Sequence, residues 1–207
     1  MRLVVVGGVA AGMSAASHAR RVDPGLEIVV LEKGERISYA ACGLPYLIEG
    51  QVHSMDELEA HSKEFFERQR NIGVRTLAEV LAVRHSAREV VLKSGERVHY
   101  DKLIWAAGAR PAGHVQGERV FALHTDLDGE RLMRFLNERK PSTAAVVGGG
   151  YIGLEVATAL RARGLKVVLY NARTDLLNRE DPWLTHLLKD KLEHCGVEVR
   201  LNETAGE

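Results

Sequence analysis

Cysteine is scarce in this chain, with two residues, Cys42 and Cys195, among 207. Two thiols so distant in sequence build neither a disulfide framework nor a zinc site, and no metal is expected. Neither sign of charge dominates. Lys plus Arg number 28 and Asp plus Glu number 28, so no basic field favours nucleic acid or an anionic membrane surface. Long apolar runs are missing too: none approaches the roughly 20 residues of a membrane span. The chain enters a strand at Arg2-Leu3-Val4 with no signal-peptide core before it. These absences lead to the expectation of a soluble, cytoplasmic protein in a reducing compartment. Aromatic residues are few, whereas the 20 glycines suit an α/β protein with many tight βα turns. The length holds one large domain or two small ones.

The first informative stretch is Leu3-Val4-Val5-Val6, a β-branched apolar run of the kind found in central parallel strands. It leads into Gly7-Gly8-Val9-Ala10-Ala11-Gly12 and a helix through Met13–Arg21. Glycines there permit a sharp turn and close helix packing, and a helix N-terminus offers unpaired N–H groups to a pyrophosphate. The middle glycine of the usual fingerprint is Val9, which weakens close backbone approach at that point. Asp23-Pro24-Gly25 reads as the turn ending the helix. A second strand, Glu27–Leu31, ends at Glu32, followed by Lys33. An acid about twenty residues past the last glycine is placed to accept hydrogen bonds from an adenosine ribose. Strand, turn, helix, strand and terminal acid in register make a dinucleotide-binding unit.

A second unit begins at Ala144–Val147. The full fingerprint Gly148, Gly150, Gly153 follows a strand and opens a helix to Arg163. Its second strand, Lys166–Tyr170, reaches Asn171 where an NADH-binding unit usually carries an acid. Asn171 does not repel a 2′-phosphate and Arg173 is able to pair with one, which leans toward NADPH over NADH. Asp181–Cys195 has amphipathic helical spacing, Val197–Leu201 reads as a strand, and Cys195 is expected to be a packing residue.

Between the units lies Ser38-Tyr39-Ala40-Ala41-Cys42-Gly43-Leu44-Pro45-Tyr46. A free cysteine has a pKa of about 8.5 and reacts as its thiolate, so a nucleophilic role requires help with ionisation. A short helix over residues 42–49 would favour the thiolate at its N-terminus. Ser14, His18 and Arg21 fall at i, i+4 and i+7 on the first helix, one stripe carrying a hydroxyl, an imidazole and a guanidinium. Such a stripe fits either a phosphorylated ligand or a solvated helix face.

These stretches together resemble the single-cysteine flavoprotein disulfide reductases of the FAD-dependent pyridine nucleotide-disulfide oxidoreductase family. The cysteine motif is the most specific part, and dithiol relatives carry a second cysteine a few residues away. Within the family, the turn Gly7–Gly12 looks like the coenzyme A-disulfide and persulfide reductase branch. The oxidase and peroxidase branch places a histidine where Ala10 stands. The resemblance implies FAD in the first unit and NAD(P)H in the second, with Cys42 as redox nucleophile. It implies that Ser14, His18, Arg21, Ser38, Ala41 and Arg70 hold coenzyme A disulfide or persulfide. Ala41 replaces a polar residue seen in some members. It also implies that Val80 meets the adenine through its backbone and that Ala107-Gly108 approaches the flavin. Tyr151, Ile152 and Glu155 then lie beside the nicotinamide, and the active site is completed in a homodimer.

The expected fold is α/β, with two Rossmann-like parallel-sheet nucleotide-binding units, a small β-meander and a truncated second unit. The expected domains are 1–112 for FAD, a linker strand and helix over 113–143, and 144–207 for NAD(P). Met55–Arg70 reads as one surface helix. Val74–Val98 reads as short strands, Glu79–Val83, Glu89–Leu92 and Arg97–Tyr100, followed by Asp101–Trp105 as a buried strand. Val120–Leu123 is expected as a strand and Asp126–Arg139 as a helix. Relatives are expected to run to roughly twice this length.

Overall fold

A computed structural model describes residues 1–111, 117–178 and 180–204. Residues 113–116, the start of the segment expected as a linker over 113–143, lie outside the described residues. The chain divides into two compact units, Met1–Ala40 with Asp56–Ala112, and Ala41–Met55 with Gly113–Glu207.

The first unit runs β1 (Arg2–Val6), α1 (Ala10–Val22), β2 (Glu27–Leu31), β3 (Gly73–Arg75), β4 (Val80–Arg84), β5 (Glu89–Leu92), β6 (Arg97–His99) and β7 (Lys102–Trp105). In the second follow α2 (Leu44–Glu49), α3 (Asp126–Arg139), β8 (Thr143–Val147), α4 (Tyr151–Ala162), β9 (Lys166–Asn171), α5 (Pro182–His194) and β10 (Val197–Leu201).

The first unit has three layers. A parallel sheet of order β3-β2-β1-β7 forms the middle, with Val4 level with Val29 on one side and Leu103 on the other. One face packs Leu3, Val5, Ile28 and Val30 against Met13 and Ala16 of α1, with Phe66 and Ile72 beneath. The other packs Val4, Val6 and Leu31 against Val90, Leu92 and Val98 of the antiparallel sheet β4-β5-β6. Alternation of side chains along β1 therefore serves two cores, which is why every residue from Leu3 to Val6 is apolar.

The second unit builds a parallel sheet of order β10-β9-β8. Val146, Val167, Leu169 and Val197 of that sheet share a core with Ala157 and Leu160 of α4, Leu192 of α5, Leu132 and Leu136 of α3, and Ile48 of α2.

Three expectations are corrected. Met55–Arg70 is not one helix: a 3-10 turn over Met55–Leu58 and a π-turn over Phe65–Gln69 take its place. The intervening backbone is drawn into another pairing, with Ala40 N–H donating to the Leu58 carbonyl and Ala60 N–H to the Ser38 carbonyl, both at 2.8 Å. Val74 does not belong to the meander; it lies in β3, level with Val30 in the parallel sheet. Val120–Leu123 forms no strand: it has no ladder partner, and Phe121 instead packs on Phe135 with ring centroids 5.0 Å apart.

Candidate functional site

At the first glycine turn the chain is held by close contacts that only hydrogen permits. Gly7 has φ +107°, and a Cβ there would lie 2.1 Å from the Ala106 carbonyl oxygen. A Cβ on Gly8 would meet Ile37 at 2.9 Å and the Glu32 side chain at 2.8 Å. Glu32 is buried, and its carboxylate does two jobs. One oxygen accepts the Gly8 N–H at 2.6 Å and the other the Gly34 N–H at 2.7 Å. Each oxygen keeps a lone pair for a ribose hydroxyl. The acid thus ties the glycine turn to the loop after β2 as well as standing where a ribose would lie. Gly34 is a part of this arrangement that sequence spacing alone does not reveal. Lys33 beside it is exposed.

The second turn repeats the device with a neutral group. The Gly149 N–H donates to Asn171 Oδ1 at 3.1 Å, while Asn171 Nδ2 donates to the carbonyls of Arg173 and Asp175 at 3.2 and 2.9 Å. Asn171 thereby occupies the position held by Glu32 in the first unit and closes its own loop as well. Gly149 is also closely approached, because a Cβ would come within 2.6 Å of the Leu176 side chain and 3.1 Å of the Asn171 amide. Arg173 is exposed and its guanidinium reaches the Asn178 amide oxygen, at 2.8 Å from Nη1 and 3.2 Å from Nε. Tyr151 and Ile152 are exposed at the start of α4, as is Glu155. The Tyr151 hydroxyl donates to Glu180 at 2.7 Å, and the hydrogen bond to that carboxylate pushes the phenol pKa up.

The helix starts at the two glycine turns differ from those of α3 and α5. α3 opens on a Thr125 capping box with Asp126 and Asp128 in its first turn, and α5 opens on an Asp181 cap. α1 opens on Val9 and α4 on Gly150, with no side-chain cap and no acid in the first turn. The first-turn N–H groups of these two helices are left for another acceptor, and the positive end of the dipole favours an anion. Glycine cradle, uncapped helix and ribose-level acid or amide fit a bound dinucleotide at each turn.

Around the first turn, Val80 is half-buried at a bulge between β4 and β5, where the register shifts between Val80 and Ala82. Ala107 and Gly108 are exposed just past β7, and Gly108 has φ +72°.

In the second unit, Cys42 is exposed in a 3-10 turn over Ala41–Gly43 that runs straight into α2. Pro45 presets the first helical turn, and Gly50 ends the helix in left-handed geometry. Leu44, Leu47 and Ile48 are buried, with Leu44 lying so close to Gly129 of α3 that a Cβ there would sit 2.8 Å from it. Arg163, at the end of α4, donates to the Ile48 carbonyl at 3.0 Å. The turn bearing the thiol is therefore held by packing and by a cation at the helix C-terminus. Cys195 does not pack as expected: it is exposed at the end of α5.

Ser14, His18 and Arg21 form one exposed stripe on α1, with Arg21 Nη2 3.3 Å from His18 Nδ1. Arg70 is brought to the same end of α1, because Arg20 donates to its carbonyl. The Arg70 guanidinium lies over the Phe65 ring, 5.4 Å from its centroid. Ser38 adopts φ +50°, and its N–H donates to the Gly8 carbonyl at 2.8 Å.

Two dinucleotide-type turns on parallel sheets, with an exposed cysteine in an anchored turn, place the molecule in the class of nucleotide-dependent oxidoreductases. The chain belongs to the pyridine nucleotide-disulphide oxidoreductase family, whose profile matches residues 1–207. It is 35% identical to an NADH oxidase of Methanocaldococcus jannaschii, covering 98% of this chain and 47% of that protein. It is 33% identical to a coenzyme A disulfide reductase of Staphylococcus haemolyticus, again over 98% of this chain and 47% of the relative. Among solved structures, reduced Bacillus anthracis CoADR-RHD superposes with a TM-score of 0.92 at 31% identity, covering 98% of this chain and 38% of that one. The chain spans about half the length of the curated relatives it matches. Among the described residues, no helix is long and apolar enough to cross a membrane.

Proposed function

We propose that this chain carries the nucleotide sites and the reactive thiol of an FAD-dependent NAD(P)H oxidoreductase that reduces coenzyme A disulfide or a related persulfide. The observation that carries the reading is Cys42 itself, exposed in an anchored turn, with Cys195 as the chain's other cysteine. A lone thiol has no neighbour with which to form an internal disulfide, so its oxidised form is a mixed disulfide or a sulfenic acid.

In this reading the Cys42 thiolate attacks one sulfur of the substrate disulfide. The sulfur–sulfur bond breaks, one coenzyme A leaves as its thiolate, and a Cys42–coenzyme A disulfide forms. FAD held at Gly7–Gly12 and Glu32 would supply the two-electron chemistry between the pyridine nucleotide and the Cys42 mixed disulfide, returning that disulfide to two thiols. The protein's share is placement. The uncapped start of α1, with Gly7, Gly8, Val9, Ala10, Ala11 and Gly12, receives one pyrophosphate, and Glu32 receives its ribose. Gly148, Gly150 and Gly153 at the start of α4 receive the other. Arg173 is paired to a neutral amide and, among the described residues, to no carboxylate, so its charge favours the 2′-phosphate of NADPH. Ser14, His18, Arg21, Ser38, Ala41 and Arg70 are assigned to the coenzyme A moiety. The working enzyme is read as a cytoplasmic homodimer, a compartment in which exposed thiols stay reduced.

The name of the Methanocaldococcus relative favours a second reading, an NADH oxidase working through a Cys42 sulfenic acid. Ala10 offers no imidazole at the place where the oxidase branch carries histidine, which weighs against it. The test is direct. Purified protein should show flavin absorption bands, and its intact mass should fall by one coenzyme A on reduction. Cys42→Ser should abolish coenzyme A disulfide reduction while NADPH still bleaches the flavin anaerobically. Full disulfide reductase activity in Cys42→Ser would refute the thiol assignment, and rapid oxygen consumption with no activity on the disulfide would favour the oxidase.

A further inference from the structure

Arg20 follows the exposed stripe of α1 but turns away from it. Its guanidinium meets three backbone carbonyls: Nε donates to Arg70 at 3.1 Å, Nη2 to Asn71 at 2.6 Å and Nη1 to Pro24 at 2.6 Å. The first two acceptors lie fifty or so residues further along the chain. They follow the π-turn over Phe65–Gln69, and Asn71 has φ +50°. A segment that leaves regular helix in this way exposes carbonyls with no ladder partner, and left-handed backbone at a non-glycine residue persists only when its surroundings hold it. A planar guanidinium fork suits that task because its donors diverge at fixed angles.

The Arg70 side chain is also held. It rests on Phe65, which is stacked on His61 at 4.2 Å and 14° and meets Phe66 edge-on at 5.3 Å. Among the described residues no carboxylate pairs with the Arg70 guanidinium. A cation fixed at its backbone by one arginine, steadied by an aromatic ring and left without a counter-ion, is prepared for an anion from outside the chain.

We propose that Arg20 is a positioning residue for anionic substrate. It locks the Arg70–Asn71 turn so that the Arg70 guanidinium stands at the same end of α1 as His18 and Arg21, where the three receive the phosphates of a coenzyme A-type thiol or disulfide. The proposal rests on the substrate reading above. Lysine at position 20 keeps the charge but places all its donors on one atom, so it does not span three separate carbonyls.

The experiment compares coenzyme A with pantetheine, which carries the thiol arm and lacks the phosphates. Binding is measured by calorimetry on the FAD-loaded protein in a Cys42→Ser background, so that no mixed disulfide forms. Arg20→Lys should weaken coenzyme A by about tenfold, the order of one misplaced charge-assisted contact, and leave pantetheine unchanged. With Cys42 intact, KM for coenzyme A disulfide should rise by a similar factor at unchanged kcat. Arg70→Ala should give the same selective loss, and adding Arg20→Lys to it should weaken coenzyme A no further. A merely structural Arg20 would instead affect both ligands alike and lower kcat, and that outcome overturns the proposal. So does a coenzyme A affinity within twofold of the parent in Arg20→Lys. If the parent protein binds FAD yet holds coenzyme A no more tightly than pantetheine, the substrate reading itself falls and the positioning role falls with it.

Discussion

Asn171→Asp places the customary acid of an NADH-binding unit at the end of β9, and the geometry predicts that it damages the loop before it alters cofactor choice. The wild-type amide donates two hydrogen bonds, to the Arg173 and Asp175 carbonyls at 3.2 and 2.9 Å, from a residue 9% exposed. Aspartate has no donor at neutral pH. Two neutral hydrogen bonds, each worth about 0.5–1.5 kcal/mol, are lost, and a carboxylate oxygen left against two carbonyls adds roughly 1–3 kcal/mol. The bond from Gly149 N–H becomes charge-assisted and offsets about 1 kcal/mol of this. The net loss is about 1–5 kcal/mol, centred near 3, or about 2–20 °C in Tm for a chain of this size. The introduced carboxyl has its pKa raised by burial and by the facing carbonyl dipoles. Its folded value then lies above its unfolded value, so the deficit is greatest above the folded pKa and shrinks as the pH falls through it, where a protonated acid regains one donor. Thermal unfolding of both proteins at neutral and mildly acidic pH measures this. Equal Tm values at neutral pH, or a deficit that stays constant in acid, would refute the account.

Glu32→Gln replaces one of the two acceptors serving the Gly8 and Gly34 N–H groups with an amide NH2 that can only donate; urea unfolding should show a loss of about 2 kcal/mol, and FAD should dissociate more readily on dialysis. Gly129→Val drives a branched side chain into Leu44, which a bare Cβ already approaches to 2.8 Å. It should destabilise by about 1–3 kcal/mol, and a changed alkylation rate at Cys42 would report the displaced turn. Glu96 is bonded to Arg75 at 2.7 and 2.6 Å, which holds its pKa below the ordinary glutamate value. The contribution of this pair is present above that ordinary value and lost as the pH falls through the depressed one. An NMR titration should place the Glu96 carboxyl below the ordinary glutamate value and move it back toward that value in Arg75→Gln.

Much of the architecture was legible in order along the chain. The strands β1, β2 and β9 and the helix α3 appear within a residue or so of where apolar runs and glycine or aspartate punctuation place them. Gly7 and Gly148 both have positive φ and Gly12 and Gly153 both sit against the first glycine's carbonyl, whereas Gly150 meets nothing within 4 Å. The substrate-site expectations are more scattered in what the fold does with them. Ser14, His18 and Arg21 do share a face, and Arg20 ties the Arg70 carbonyl to the same helix end.

Local pattern determined what local physics controls. Side-chain alternation, helical spacing, turn residues and the paired fingerprints act over a few residues, so they identify two dinucleotide units and a solitary cysteine without reference to distant parts of the chain. Tertiary structure decided the rest wherever a backbone group chose a partner far away in sequence. Residues 58–60 left their helical pattern to pair with 38–40, and Val74 left the meander to pair with Val30. Asn171 took the structural place of an acid by closing its own loop, and a guanidinium on α1 gathered carbonyls from a turn fifty residues on. Each is a long-range choice among polar partners. Such choices carry no period in the sequence, and they are made only when the core has brought the candidates within hydrogen-bonding distance.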